Sequence, residues 1–474
     1  MAERTLLDNV WEKHKIGDPL PSGEDHIYVS KQTFHEVTSP QAFEMLREDG
    51  LPVRSPGKHA AVTDHVIPTT VEGRMRPLAR EKDEIMMAEL EKNVQECGIE
   101  YFAPGSGRQG VCHVVFPELG MIWPGTIVMM GDSHTPTDGA FGAIPIPAGT
   151  TEVSFSLAAD STSMAKPKVR RIDYVGELPL GVKAKDVALY TIREHGLKAG
   201  IGYAHELGGS VIERMDMESR MTMTNMCPEI NARISYINPD QTTYDYLTGR
   251  PFAPKRDMDK LIEYAESIKS ADDAAYDDRL EIDVSNIEPM LSWGITPDFS
   301  IGISEKTPYK MAQFKNGESP WTILDAYAYM GLAPGTDMRD VSVDVVFIGS
   351  CTNGRLTDLR AAANILEGRK VYVKTLIAPG SEQVKYHAEQ EGLDKIFLDA
   401  GAEWREPGCS MCLGMSPDVL VGYERSCSTS NRPFKGRQGS PTGRTHICGV
   451  ETAAATAING KFSDPREYLR GDSK

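Results

Sequence analysis

The sequence predicts an α/β protein with mainly parallel, doubly wound sheets. The run Val343–Ile348 is β-branched and aromatic, which is typical of a fully buried strand, and apolar residues at helical spacing follow from Leu356. Further along, Lys370–Ile377 is predicted as a second strand, Gly380–Gly392 as a helix and Lys395–Leu398 as a third strand. Strands that alternate with helices pair in parallel, so this region predicts a parallel sheet covered by helices.

Length and composition indicate a soluble protein of more than one domain. The chain has 474 residues, which is too long for one hydrophobic core. Its hydrophobic content of 40% and charged content of 25% are ordinary for globular proteins. No apolar run reaches the roughly 18 residues of a spanning helix, and the first residues lack the apolar segment of a secretory signal. We therefore expect a cytoplasmic protein with no membrane partner.

The formal net charge of −17, from 51 basic and 68 acidic residues, argues against non-specific nucleic-acid binding. A small anionic substrate remains compatible with this charge, because a few arginines hold an anion locally whatever the global sign. We expect a small-molecule substrate and no nucleic-acid partner.

The cysteines suggest a metal centre. Cys351 comes just after the predicted buried strand, where open α/β sheets place their ligands, and Cys409 and Cys412 form a Cys-x-x-Cys pair. Such a pair is compatible with zinc, an iron–sulfur cluster, a redox dithiol or coincidence. Structural zinc needs four ligands, whereas a cubane on three thiolates leaves one iron open as a Lewis acid. The remaining cysteines are expected to be buried and structural: Cys97, Cys112, Cys227, Cys427 and Cys448.

Polar clusters follow two further predicted strands. Asp64 and His65 come after Ala60–Thr63, and Gly131–Thr135 comes after Ile122–Met130. A carboxylate beside an imidazole suits acid–base chemistry, and a surface loop explains Asp64-His65 equally well. Adjacent serine and histidine side chains point in different directions, which argues against a hydrolase triad in Gly131–Thr135.

Other residues are weaker candidates when taken alone. Ser39 and Pro40 predict the start of a helix, and Gln41 lies in its first turn. Glu206 follows a glycine-rich turn. Arg432 and Arg437 offer planar forks for carboxylates, although such arginines are often surface salt-bridge partners.

Four ordered motifs resemble the aconitase superfamily, and within it the branch that dehydrates isopropylmalate. They are S-C-T-N-G-R at 350–355, G-C-S-M-C at 408–412, T-S-N-R-x-F-x-G-R at 429–437 and G-D-S-H-T at 131–135. The resemblance implies an aconitase-like iron–sulfur fold of three α/β subdomains without the swivelling fourth domain. Residues 1–170 would carry the Asp–His pairs, residues 171–290 would carry Glu206, and residues 291–474 would carry the cysteines.

The resemblance also implies the site. A [4Fe–4S] cluster would bind Cys351, Cys409 and Cys412, with one iron lacking a protein ligand. Catalytic residues that orient groups, move protons or contact iron-bound water would be Asp64, His65, Asp132, His134 and Glu206. Residues that hold substrate or cluster-bound groups would be Gln41, Ser133, Asn353, Asn431, Arg432 and Arg437.

The activity implied is that of a hydro-lyase large subunit that interconverts 2- and 3-isopropylmalate through isopropylmaleate in leucine biosynthesis. The serine base of the superfamily lies in a G-S-S-R-E motif on the swivelling domain, and this sequence has no such motif. A separate small subunit is therefore expected as partner. Asp138, Phe155 and the sequence after Glu206 depart from the usual pattern, which leaves open a sibling hydro-lyase for citraconate or maleate, dimethylmalate or homocitrate-type dicarboxylates.

Overall fold

The computed structural model describes residues 4–309 and 319–469. The chain divides into two compact units, each assembled from separate stretches. Unit 1 consists of residues 1–64, 79–175 and 200–283, and unit 2 consists of residues 65–78, 176–199 and 284–474. The division expected from the resemblance, 1–170, 171–290 and 291–474, stays a prediction.

The strands of the described residues are short and largely buried. They are β1 (Asp25–Tyr28), β2 (Lys31–Phe34), β3 (Ala60–Val62), β4 (Glu100–Phe102), β5 (Ile127–Met130), β6 (Ile144–Pro147), β7 (Ser161–Met164), β8 (Lys168–Val175), β9 (Tyr203–Gly208), β10 (Ile234–Ile237), β11 (Asp278–Asp283), β12 (Met290–Ser292), β13 (Ser300–Gly302), β14 (Val345–Ile348), β15 (Lys374–Ile377), β16 (Glu403–Trp404), β17 (Arg425–Ser428) and β18 (Arg444–Ile447).

The helices are α1 (Leu6–His14), α2 (Ser39–Glu48), α3 (Glu81–Cys97), α4 (Cys112–Glu118), α5 (Thr150–Ala159), α6 (Ala184–His195), α7 (Ser210–Arg214), α8 (Met217–Asn225), α9 (Gln241–Leu247), α10 (Met258–Ile268), α11 (Pro320–Met330), α12 (Ser350–Asn353), α13 (Leu356–Leu366), α14 (Glu382–Gln390), α15 (Leu393–Ala400) and α16 (Val450–Asn459). None of the helices in the described ranges is both long and apolar enough to cross a membrane.

Unit 1 contains two parallel sheets. One has the order β4-β3-β2-β5-β6 and the other the order β10-β9-β8-β11, with every neighbouring pair parallel. A shared apolar core joins them, because Ile127 and Ile144 of the first sheet pack with Val169, Ala204 and Ile234 of the second. This common core explains why the two sheets form a single compact unit.

Unit 2 is built around a parallel sheet in the order β16-β15-β14-β17-β18. Strand β14 is central, and all four of its residues are buried, as the sequence predicts. Helix α13 follows it and buries Leu359, Ala362, Ala363 and Leu366 on one face. Outside the three parallel sheets, β1 with β7 and β12 with β13 form antiparallel pairs.

The α/β class with mainly parallel sheets is therefore confirmed, and one local prediction is wrong. Lys395–Leu398 lies inside helix α15, whose buried residues Leu393, Phe397 and Ala400 share one helical face, and the third strand is β16. Glu206 follows the turn that contains Gly200 and Gly202, and it lies in the buried strand β9.

Candidate metal centre and acid–base cluster

The three cysteines of the predicted metal centre lie together in unit 2. Cys351 is in the single turn of α12, just past the carboxyl end of β14. Cys409 immediately precedes a 3₁₀ turn, Ser410–Cys412, that follows β16. Cys412 is the last residue of this turn, which contacts α12. All three thiols are buried. The parallel order of β14 and β16 thus brings both cysteine segments to one edge of the sheet.

Nitrogen donors point at two of the three sulfur atoms. Asn431 Nδ2 donates to Cys351 Sγ at 3.3 Å, and Arg437 Nη2 donates to Cys412 Sγ at 3.9 Å. Both donors come from the segment that follows β17. Hydrogen bonds to sulfur stabilise the thiolate form, which is the form that binds metals.

Buried polar atoms without a hydrogen-bond partner surround the same centre. They are Asn353 Oδ1, Asn431 Oδ1 and Arg437 Nε. Such atoms are rare in folded proteins and indicate a group that the protein is built to receive. The residues present therefore fit a bound polar or charged group beside the thiols.

The spacing of the thiols argues against a single zinc ion. Zinc–sulfur bonds of about 2.3 Å in a tetrahedron bring sulfur atoms to within about 4 Å of each other. Among the described residues, Cys351, Cys409 and Cys412 do not form a group whose ligand atoms all lie within 4.8 Å of one another. A larger cluster with several metal ions fits three thiolates at wider spacing.

Two serines next to the cysteines have backbone conformations that favour glycine. Ser350 has φ of 77° and Ser410 has φ of 47°. Local hydrogen bonds hold both, since Thr352 N–H donates to Ser350 Oγ and the Ser410 hydroxyl donates to Asp418. Strained backbone of this kind concentrates at functional sites, where the surrounding structure maintains it.

A buried aspartate–histidine cluster lies in unit 1 after β5. Asp132 Oδ1 accepts hydrogen bonds from His113 Nε2 at 2.9 Å and from the His134 backbone N–H at 2.7 Å, while His35 Nε2 lies 3.5 Å from Oδ2. Burial alone would raise the pKa of Asp132, but the charge and hydrogen bonds of the histidines hold it well below its usual range. Asp132 is therefore an ionised acceptor that orients imidazole rings.

His134 has a carboxylate partner that the sequence did not suggest. Its Nε2 lies 3.1 Å from Oε1 of Glu229, and both side chains are buried. Glu229 sits in a 3₁₀ turn, Cys227–Ile230, directly after the methionine-rich helix α8, and no local motif marks it. His113 was missed for the same reason, because it lies within the otherwise apolar helix α4.

The other site residues predicted in this part of the sequence differ in burial. Asp64 is fully buried, and its Oδ2 accepts from the backbone N–H of Cys112 at 2.9 Å. His65 is buried too, and the border between the two units falls between it and Asp64. Ser133 and Gln41 are exposed, with Gln41 in the first turn of α2 as expected.

Glu206 lies in a network of its own. The Arg171 Nη1 group donates to Glu206 Oε1 at 2.7 Å, and three other donors complete the set: Asn238 Nδ2, the Ser270 hydroxyl and the Tyr276 hydroxyl. Arg171 and Glu206 are directly paired across β8 and β9. These contacts describe a buried structural ion pair and do not link Glu206 to the Asp132–His134 cluster.

The candidate substrate residues of unit 2 border the cysteines. Asn353 is two residues beyond Cys351, and its Nδ2 donates to Asp358 at 2.9 Å. Arg432 is half-buried, with its guanidinium 5.9 Å from the centre of the Phe434 ring. The pair Asn431 and Arg432 thus follows β17 at the same sheet edge as the thiols.

A buried group of three thiols and an aspartate–histidine cluster, carried on parallel sheets, form a candidate metal centre and a candidate acid–base site in a protein of α/β class. Comparison with known families identifies it further. A sequence model described as "Aconitase family (aconitate hydratase)" matches residues 8–460, and the chain belongs to the aconitase family. That family implies an iron–sulfur cluster on this chain.

Curated relatives are similar over nearly the whole chain. The 3-isopropylmalate dehydratase large subunits of Synechococcus sp. (strain JA-3-3Ab) and Microcystis aeruginosa are each 50% identical over 99% of this chain and 100% of their own length. That of Rippkaea orientalis is 51% identical over the same shares. A solved structure, aconitase X of Thermococcus kodakaraensis, matches 86% of this chain and 84% of its own at 11% identity and a TM-score of 0.44, which is too low to support a conclusion.

Proposed function

We propose that this chain is the large subunit of an iron–sulfur hydro-lyase that interconverts 2-isopropylmalate and 3-isopropylmalate through isopropylmaleate, a reaction of leucine biosynthesis. The observation that carries the proposal is the 50% identity, over 99% of this chain, to relatives named for that dehydratase. The intact cysteine motifs support the same reaction class.

The cofactor we propose is a [4Fe–4S] cluster held by Cys351, Cys409 and Cys412, with one iron lacking a protein ligand. The buried thiols and the donors at Cys351 and Cys412 support this assignment. When bound, such a cluster supplies a Lewis acid for the departing hydroxyl group.

The chain's own residues have to hold a dianion at that centre. Arg432 and Arg437 offer guanidinium forks that match carboxylates in two-point contact, and Arg437 already reaches Cys412. Asn353 and Asn431 each have an unpaired buried amide oxygen that accepts a hydroxyl or water proton. Together these four residues fix the substrate and exclude alternative orientations.

Proton handling falls to the aspartate–histidine residues. Ionised Asp132 orients His113 and His134, so the imidazoles are presented in fixed tautomers, and Asp64 with His65 forms the second pair. Ser133 and Gln41 are exposed, and we assign both to contacts with the substrate. The contacts of Glu206 give no support to a role at iron-bound water, whereas Glu229 reaches His134 directly.

The partner we propose is a separate small subunit that brings the catalytic serine base. The relatives are named as large subunits, and a G-S-S-R-E motif is absent from this sequence. A reducing cytoplasm is the compartment we propose, because all eight cysteines are free thiols, and thiolate ligands need reducing conditions.

One observation favours the alternative of a sibling hydro-lyase. Asp138 stands where the branch usually has a histidine, and it is buried in the 3₁₀ turn Thr135–Phe141, directly after His134. A carboxyl group there, in place of an imidazole, changes the hydrogen-bonding groups beside the acid–base cluster and so favours a different small dicarboxylate. Citraconate, dimethylmalate and homocitrate are the substrates to compare.

The test uses the chain, reconstituted without oxygen and mixed with its candidate small subunit. Turnover is followed by the ultraviolet absorbance of isopropylmaleate. We expect turnover of isopropylmalate above that of the sibling substrates. A full cluster with turnover of a sibling substrate alone would shift the assignment to that substrate, and a chain that takes up no iron would overturn the proposal.

A further inference from the structure

Helix α6 carries a lysine that is almost completely buried in unit 2. Lys185 is 1% exposed, in the first turn of the helix. Burial lowers its pKa to about 8, because an ammonium group without water is costly. A lysine retained in such a position needs partners that compensate for the lost water.

The partners of Lys185 are two consecutive backbone carbonyl groups. Its Nζ donates to Thr429 O at 2.5 Å and also to Ser430 O. Next in the chain are Asn431, which donates to the Cys351 sulfur, and Arg432. Lys185 therefore fixes the backbone from which two residues of the metal centre extend.

The same segment is tied to the turn that carries Cys351. Gly349 N–H donates to Thr429 Oγ1 at 2.9 Å, and the Thr429 hydroxyl donates to Gly349 O at 3.0 Å. Thr429 N–H also donates to Phe347 O at 3.0 Å. Lys185 thus binds the segment after β17 at the point where hydrogen bonds connect that segment to the end of β14.

Electrostatics point in the same direction. Lys185 interacts favourably with Cys351 and Cys412, and also with Cys448 and Asp358. The carboxyl oxygens of neighbouring Asp186 accept from the backbone N–H groups of Met290 and Lys183, and burial raises the pKa of this group to about 7, which reduces its negative charge near neutral pH. A positive charge near thiolate-bound iron favours the more negative, reduced form of a cluster.

We propose that Lys185 is a positioning residue of the metal centre: its two carbonyl bonds hold Asn431 and Arg432 in place, and its charge raises the reduction potential of the cluster bound by Cys351, Cys409 and Cys412. The inference rests on the proposed function only in requiring that this cluster is bound. It does not depend on which dicarboxylate is the substrate.

The test compares three substitutions in the full chain with its small subunit. Lys185→Met removes both charge and donor, Lys185→Gln keeps a donor without charge, and Lys185→Arg keeps both. Lys183→Met is the matched control, because Lys183 is exposed and pairs only loosely with Glu451, at 3.7 Å. Iron content, the midpoint potential from a redox titration followed by electron paramagnetic resonance, and KM with kcat are measured for each.

We expect the Gln and Met variants to keep iron but to shift to a more negative potential, while the Arg variant stays near the wild type. The Met variant should also raise KM about 10-fold or more, as loss of outer-shell partners does. Circular dichroism checks that each variant folds. If the Met variant does not fold, the comparison of midpoint potentials between Lys185→Gln and Lys185→Arg tests the inference.

Three results would overturn the inference, and they can be distinguished from one another. If the Lys185→Gln variant binds the cluster and has the wild-type midpoint potential and KM, Lys185 has no role at the metal centre, and the proposed function is unaffected. A wild-type chain that takes up no cluster removes the proposed function and this inference together. If the midpoint potential shifts as much in the Lys183→Met control as in Lys185→Gln, Lys185 has no specific effect on the cluster.

Discussion

His134 and Glu229 form a buried pair in unit 1, with 3.1 Å between the histidine Nε2 and the glutamate Oε1. On its other side, the backbone N–H of His134 donates to Asp132. The Nδ1 atom of His134 also lies 3.6 Å from Oδ1 of Asp132, so two carboxylates flank the imidazole and fix its orientation. These contacts support the proposed role of His134 in proton transfer.

Glu229→Gln should lower kcat in the reconstituted enzyme by at least about 10-fold, because His134 loses a charged partner. Glu263→Gln, at an exposed position of α10, is the control. An unchanged kcat in the Glu229 variant would show that this pair has no part in the reaction.

Glu206→Ala should lower the free energy of unfolding by about 1–3 kcal/mol, because the donors around Glu206 lose their buried acceptor, while Arg171 keeps its ion pair with Asp173. Urea unfolding followed by circular dichroism measures this. Glu281→Ala, at an exposed position of β11, should stay within about 0.5 kcal/mol of the wild type. If Glu206→Gln folds normally yet loses kcat, Glu206 has the catalytic role that the sequence suggested.

Cys412→Ser should deplete iron while the chain stays folded, because a serine hydroxyl is a poor replacement for a thiolate ligand. Iron and sulfide analysis after anaerobic reconstitution is the measurement. Cys97→Ser, at a half-exposed thiol of α3, is the matched control and should keep the wild-type iron content. Normal iron in the Cys412 variant would exclude it from the ligand set.

Arg432→Lys should keep the cluster and lower kcat/KM about 100-fold, since an ammonium group cannot replace a two-point guanidinium contact with a carboxylate. Steady-state kinetics and iron content are measured together. Arg360→Lys serves as control, because Arg360 forms an exposed ion pair with Glu391. Wild-type kinetics in the Arg432 variant would contradict its assignment to the substrate carboxylate.

Asp138→Asn should make stability less dependent on pH. Burial raises the pKa of Asp138 from 3.8 to about 8, although Lys31 opposes the shift. The folded state therefore keeps a proton that the unfolded state releases, so this carboxyl group costs stability as pH rises from about 4 to about 8. Relative to wild type, the variant's urea midpoint should rise between pH 5 and pH 8, and the exposed control Asp259→Asn should show no such trend. If the urea midpoints of wild type and Asp138→Asn change with pH in the same way, the buried Asp138 carboxyl group does not affect the pH dependence of stability.

Local sequence patterns predicted the elements that carry the metal centre. The run Val345–Ile348 is predicted as a buried strand because every side chain in it is apolar. The motif that contains Cys351 follows this strand directly. Helix α15 was misassigned because four residues around Phe397 read equally well as a strand. Its true period appears only when Leu393 and Ala400 are included.

The sequence by itself determined the α/β class, the family, the three cysteines and the polar residues that follow the strands, since these depend on short-range pattern and on motifs. Only the tertiary structure decided which charges are partners. It paired Glu206 with Arg171 across neighbouring strands, Glu229 with His134, and Lys185 with the carbonyl groups before Asn431. These contacts join residues 35, 95 and 244 positions apart, and the free energy of burying a charge depends on such distant neighbours rather than on adjacent sequence.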